Sequence, residues 1–397
     1  MGISYQNNTN IKKVVQFVRE KGPSSRVDIS NHMAIPQPTM TRIIEKLISA
    51  NILHEQGLGT STGGRRPILL TFNESCSYAV GVEIGRSDIK VALTNMNGDL
   101  LSFTTKETRS DEAIDEIVLK VKKTVDKVLA DTGIERSLIL GVGIGVPGPL
   151  NELEDGRISP PNFYGETDIP MKEMLEEQLD FPVTIDNDAN VAALAEKWFG
   201  QGKGIANFAY VHADVGVGSG LIINNDIYRG RYGEAGEIGH STIDVFGKRC
   251  ACGNYGCLEN FVSIPAIIDK FQNSLRHLPT DNQHPFTKRI EHLNFEDVLQ
   301  AVDEGFGLAQ QVLKETGQLF GAGIANLINL FAPNVVILGG KVGTSHPLFH
   351  KEVTETMKTR VLGSKGKDVK VVVTDLNSGV VSGAAALVIH RFFIKDL

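Results

Sequence analysis

The sequence predicts an α/β protein in which an N-terminal winged helix-turn-helix head precedes a two-lobed α/β body. Three observations predict it. The first seventy residues show helical spacing of apolar side chains and then a glycine-rich hairpin. A strand–turn–strand scheme beginning at Tyr78 returns at Asn207. Charge also divides between the two parts: residues 1–72 hold nine basic and four acidic side chains, a balance of +5, while the 397-residue chain stands at −7, which leaves −12 for the remainder. A basic head on an acidic body suits a polyanion-binding module joined to a small-molecule domain.

Composition narrows the class. With 41% hydrophobic and 22% charged residues the chain reads as a soluble globular protein of two or three domains. It has no uninterrupted apolar run of about 18 residues that would span a membrane. The N-terminal stretch MGISYQNNTNIKKVVQF is polar and lacks a signal-peptide core. The expected compartment is the cytoplasm, where thiols stay reduced and clustered cysteines favour metal over disulfides.

In the head, Ile11, Val14, Val15 and Val18 lie at helical spacing and Gly22-Pro23 ends the helix. Ser25 and Asp28 form a capping-box pattern that starts a short second helix. A third helix follows, with Pro38 near its start and Ile43, Ile44, Leu47 and Ile48 on one face. Its polar tip carries Gln37, Thr39, Thr41 and Arg42, the candidates for contact with DNA bases. The stretch ILHEQGLGTSTGGRRPILLTF then reads as a β-wing with Arg65 and Arg66 at its tip, suited to an A·T-rich minor groove. The alternative for the head is a tri-helical unit that packs on another protein. Residues 1–73 form this domain; 74–186 form a first lobe, completed by a C-terminal helix at about 380–397, and 187–379 a second.

The body alternates strands with helical stretches near 112–131, 188–199 and 306–331. The scheme of apolar strand, turn, apolar strand and asparagine-containing turn is shared by the segments beginning at Tyr78 and Asn207. Such an internal repeat predicts two similar lobes with a cleft between them.

Three of the four cysteines, Cys250, Cys252 and Cys257, stand within eight positions, and His240 lies ten residues before the first. One imidazole and three thiolates make a tetrahedral set for a closed structural zinc site, one ion per chain. A DNA-reading finger of the two-cysteine, two-histidine kind lacks its second half here. The alternative is buried free thiols beside an unrelated histidine. Cys76, outside the cluster, reads as an unreactive thiol. A metal that fixes His240 and Cys257 also fixes the nearby Glu237 and Glu259, groups that grip sugar hydroxyls. Surface acids or loop caps are the alternative for those two.

The motifs Gly63-Gly64-Arg65-Arg66-Pro67, Val146-Pro147-Gly148-Pro149, Asp186-Asn187-Asp188-Ala189-Asn190, Gly236-Glu237-Ile238-Gly239-His240 and the cysteine stretch through Glu259 together resemble the ROK family of repressors, open reading frames and kinases, in its repressor branch. The resemblance spans nearly the whole chain. It implies an actin/hexokinase-like body with a sugar site in the cleft, contacted by Asn187, Asp188, Glu237, His240 and Glu259, with Asn162 as a further candidate.

In the family's kinases, the residue matching Asp188 would be the general base for phosphoryl transfer. The nucleotide side departs from the family pattern. Arg86 stands for the second glycine of the first turn, followed by Asp88, and Asp214 and Val215 alter the second turn. Added carboxylates repel phosphate. The expected function is a sugar-responsive transcriptional regulator, most simply a repressor without catalysis, whose partners are operator DNA, a monosaccharide or monosaccharide phosphate, and further copies of itself as homodimer or tetramer. The alternative is a sugar kinase bearing a DNA-binding head.

Overall fold

A computed structural model describes residues 9–60, 66–109, 111–148, 150–152, 156–159, 163–231, 233–278 and 285–392. The chain forms two compact units, one of Met1–Val146, Lys172–Ile185 and Ala384–Leu397, the other of Pro147–Met171 and Asp186–Gly383. The segment from Pro147 to Met171, which the sequence division assigned to the first lobe, groups with the second. A reason is visible at its start, where the missing Cβ of Gly148 would lie 2.3 Å from the Asn187 amide nitrogen.

The head occupies the start of the first unit. Helices span Thr9–Lys21, Arg26–Met33 and Gln37–Ser49. The second begins on a capping box, with Ser25 accepting from the Asp28 amide and Asp28 accepting from the Ser25 amide, and ends on Ala34 in the left-handed region. The third starts after Pro36 with Pro38 in its first turn, where a missing N–H costs nothing. Its apolar face, Met40, Ile43, Ile44 and Leu47, is buried with Val14, Val15, Val18 and Ile29. Strands Leu53–Leu58 and Ile68–Phe72 pair antiparallel as the hairpin, and Ser24–Ser25 adds a third strand at its side.

Each unit contains one five-stranded sheet. In the first, the order is 183–187, 139–146, 78–84, 88–95, 100–107; in the second it is 370–373, 335–339, 208–213, 217–223, 226–227. In both, the first two strands of the repeat pair antiparallel, and the first also pairs parallel with a strand reached through a helix. The expected repeat is therefore present as topology. The predicted helical stretches appear as Ile114–Thr132, Asp188–Phe199 and Gly307–Phe331. The last packs in the second unit's core through Phe320, Ile324 and Leu327. The C-terminal helix runs from Gly379 to Arg391.

Candidate metal centre and effector site

The residues 236–240 lie against the strand Val217–Ile223, and two glycines make that approach possible. A Cβ on Gly236, whose φ is +95°, would fall 2.1 Å from the Ser219 carbonyl, and one on Gly239 would fall 2.0 Å from the Val217 carbonyl. Side chains at either place would push the loop off the strand and carry Glu237 and His240 with it. Past them the chain turns back on itself. Thr242 bridges Cys257 and Arg249 bridges Tyr255 as isolated antiparallel pairs. Gly256, at φ +63° and with its absent Cβ 1.6 Å from the Asp244 carbonyl, allows the fold-back.

This fold-back gathers the four metal candidates. One ligand atom from each of His240, Cys250, Cys252 and Cys257 lies within 4.8 Å of every other. His240 Nδ1 is 3.7 Å from Cys250 Sγ, and Cys252 Sγ is 3.7 Å from Cys257 Sγ. A tetrahedron with metal–sulfur bonds near 2.3 Å has edges of about 3.8 Å, so these two donor pairs stand at coordination spacing. Their acid–base state points the same way. Burial, then the neighbouring Cys252 and Cys250 thiols, push Cys257 up to about 12, and burial also raises Cys250. For Cys252 burial acts upward too, but hydrogen bonds from the Asn254 amide and the two adjacent sulfurs bring it down. Burial and crowding thus oppose ionisation of Cys250 and Cys257, and a cation at the centre would favour the thiolates. The set fits a structural zinc ion.

The sugar candidates lie beside this centre in the same unit. Asn187 is the N-cap of Asp188–Phe199, and its Oδ1 accepts from the Ala189 amide at 2.8 Å. Its Nδ2 is left facing Gly148, and Glu237 Oε1 would be 3.4 Å from a Cβ there. Asp188, at the first position of the helix, accepts from the same Ala189 amide at 2.7 Å. Glu259 Oε2 accepts from the Val217 amide at 2.9 Å, so this carboxylate does cap a loop. Burial raises the Glu237 carboxyl group; His240 opposes the rise, and Asp188, Glu259 and Glu234 add to it. These interactions place Glu237, His240, Asp188 and Glu259 in one electrostatic neighbourhood. Asn162 and Arg65 fall outside the described residues.

Sequence reasoning gave no role to Asp186, which is buried and held by Arg229 through Nε at 2.9 Å and Nη2 at 2.7 Å. Its Oδ1 also accepts from the Asn190 side chain and the Asn187 amide, fixing the turn that presents Asn187 and Asp188. The acidic motif was readable as a unit, but Arg229 lies 43 positions away and no spacing rule links the two. A hollow of this unit, about 670 Å³ and lined by Lys248, Phe261, Lys270 and Glu315 among others, includes none of the sugar candidates.

In the head, Gln37, Thr39 and Arg42 are exposed at the start of the third helix, and Thr41 is half-buried with its hydroxyl donating to the Gln37 carbonyl. Arg66 is exposed beside the hairpin.

A winged-helix type head, a duplicated α/β body and a Cys3His centre beside acidic groups define a class, and comparison with known proteins agrees with it. The model of the ROK family matches residues 79–391, and the chain belongs to that family. The xylose repressor of Caldicellulosiruptor bescii is 30% identical over 377 residues, covering 95% of this chain and 94% of that protein. A crystal structure of a ROK family transcriptional regulator, a homologue of the E. coli MLC protein, matches with a TM-score of 0.83 and 27% identity over 97% of this chain and 96% of that one. A ROK family glucokinase from Streptomyces griseus, solved with glucose and AMPPNP, matches with a TM-score of 0.68 and 26% identity, covering 78% of this chain and 99% of that one. The repressor relatives thus cover 95–97% of this chain, against 78% for the kinase.

Proposed function

We propose that this protein is a sugar-responsive transcriptional repressor that binds operator DNA through its head and releases it when a monosaccharide or monosaccharide phosphate occupies the Asn187–Asp188–Glu237–His240–Glu259 site. The observation that carries this reading is the joint presence, on one chain aligned over nearly its whole length with repressors, of the head and of a Cys3His cluster beside acidic groups. The C. bescii relative makes D-xylose the first sugar to try. Gln37, Thr39, Thr41 and Arg42 read bases, while Arg65 and Arg66 enter the minor groove. One recognition helix reads a half-site, so the working form is a homodimer or tetramer on a palindromic operator. The protein acts in the cytoplasm, where its thiols stay reduced for metal. His240, Cys250, Cys252 and Cys257 hold one zinc ion, whose role is to fix the loop that presents Glu237 and Glu259.

A non-catalytic reading is supported by Asp214. Its Oδ2 accepts from the Lys341 amide at 3.2 Å and its Oδ1 from the Val215 amide at 2.9 Å, so the carboxylate itself takes backbone donors at the turn where family kinases approach phosphate. Two measurements test the whole. Selection of bound duplexes from a random pool, followed by calorimetry with free and phosphorylated monosaccharides, should yield a palindromic operator released by one sugar. Incubation with ATP, magnesium and that sugar should form no more ADP than Asp188→Asn; turnover on the order of 1–100 per second would make the protein a kinase instead.

A further inference from the structure

The connection between head and first lobe, which lie in one compact unit, is pinned at both ends. On the head side, the Asn73 amide donates to the Ile52 carbonyl at 2.9 Å and the Asn73 side chain to the Asn51 carbonyl at 2.8 Å. One residue later the chain is tied to the lobe: the Glu74 carbonyl accepts from the Met96 amide at 2.9 Å, and Glu74 Oε2 accepts from Asn97 Nδ2 at 2.7 Å. The third tie comes from the first helix. Arg19 Nη2 reaches the Met96 carbonyl at 3.4 Å, and its Nε is buried. Head and lobe therefore meet on the turn at 95–99 that joins strands 88–95 and 100–107.

We infer that Arg19, with Glu74 and Asn97, is the positioning element that holds the head in a fixed attitude on the first lobe, so that operator affinity follows the state of that lobe. The inference rests on the sugar-responsive reading for its consequence, but not for its geometry. An apolar residue would fill the place of Arg19 at lower cost, since a buried guanidinium must be desolvated; burial brings its pKa down to about 10, which still leaves it charged at neutral pH. What a directional donor adds is orientation. The sheet then carries the orientation onward: Tyr78 pairs with Asn95 and, in parallel, with Ile139, and the strand Ile139–Val146 runs for about 25 Å before the chain passes at Pro147-Gly148 into the unit that holds the sugar candidates. A head on a slack linker would feel the state of the lobe only through the spacing the linker allows between two heads, whereas a fixed joint passes on any change of the lobe's attitude directly.

The test uses full-length protein, wild type against Arg19→Ala, Arg19→Lys and Asn97→Ala; Asn97 is exposed, so its removal leaves folding intact. The probes are a duplex selected by the wild type from a random pool, and D-xylose. Two quantities are read: the fold-change in duplex affinity caused by D-xylose, and hydrogen exchange at residues 95–99 and in Thr9–Lys21. If the inference holds, Arg19→Ala and Asn97→Ala keep duplex affinity without sugar within about 3-fold, while a sugar-induced change in the usual 5–150-fold range of allosteric coupling contracts toward one. Exchange at the turn rises, and Arg19→Lys recovers part of both. An unchanged coupling ratio in both variants would overturn the inference. If D-xylose has no effect on the wild type, it is the reading of the effector site that fails for this sugar, and the exchange arm decides alone: wild-type protection at the turn and first helix in Arg19→Ala and Asn97→Ala refutes the joint, and its loss there supports it.

Discussion

The two sheets share strand order and pairing but differ in what joins the meander to the following helix. In the first unit the strand Leu100–Glu107 passes to Ile114–Thr132 through residues 108–113 alone. In the second, the strand Asp226–Ile227 passes to Ile264–Arg276 through residues 228–263, and that connection contains Arg229, Glu237, His240, all three clustered cysteines and Glu259. A repeated scaffold thus bears most of its chemistry in a segment that only one copy possesses. A long connection without a helix long enough to support itself needs another source of order, and a metal held by the Cys3His cluster would supply it. The first unit needs none, because its connection is short and its strands are covered by the buried face of Ile114–Thr132.

The most severe way to separate the copies is to remove the candidate metal ligand Cys257. Cys257→Ser should lose zinc, and sugar affinity should fall by at least about 10–100-fold, the usual cost of damage at or behind a metal site. Residues 240–258 should become open to proteases, whereas amide exchange in strands 78–84 and 88–95 should stay as in the wild type. Metal analysis, calorimetry and exchange on one preparation check this together. A zinc-free variant that binds sugar normally would show that the connection orders itself.

Asp188→Asn attacks the part of the site that the scaffold itself provides. Asp188 begins a helix rather than lying in the connection that carries the Cys3His cluster, so metal content and melting should change little. Sugar affinity should fall by about 10–100-fold, because a hydrogen bond to a charged acceptor contributes roughly 1.5–3 kcal/mol. Equal affinities by calorimetry would remove Asp188 from the site.

What was legible in the sequence follows the same division. The helical stretches read near 112–131, 188–199 and 306–331 lie within two residues of the observed helices, because each carries a long set of apolar side chains that the fold buries. The spacing of the cysteines located the cluster that the structure brings together with His240, because coordination constrains residue type as well as distance. Pairings across long separations left no such trace. The bond from Arg229 to Asp186 and the seat of Arg19 on Met96 are set by tertiary packing, and the glycines at 236 and 239 gave no hint that they admit carbonyls of a neighbouring strand. Glu259 also showed a second task, holding the Val217 amide, which its place in the motif did not disclose.

In the head, where neither copy of the repeat takes part, smaller effects are expected. Arg66→Ala should weaken operator binding and reduce the slope of log affinity against log salt by about 0.9, the share of one phosphate contact. Arg42→Ala should instead relax base preference at one position of the half-site, costing about 1–3 kcal/mol against the preferred base. Unchanged affinity and salt slope in both would take the DNA contact away from this face.

The smallest expected effect concerns Glu237 and is a gain in stability. Burial raises its carboxyl group; His240 pulls the other way, and Asp188, Glu259 and Glu234 push it further up. A carboxyl whose folded-state pKa exceeds its unfolded value is more easily protonated in the folded protein, so its ionised form costs stability at neutral pH, and that cost fades as pH falls through the folded value. Glu237→Gln keeps the shape without the charge. The sugar-free, zinc-loaded variant should therefore melt above the wild type near neutral pH, by no more than about 3 °C, and the two curves should converge as the pH is lowered into the carboxylate range. Sugar affinity should move the opposite way, since the charged acceptor is gone. Calorimetric melts across pH with and without sugar decide the matter. A variant that melts below the wild type at neutral pH would mean that the Glu237 charge stabilises the metal-bound loop, and the crowding of carboxylates would then be structural rather than a cost borne for binding.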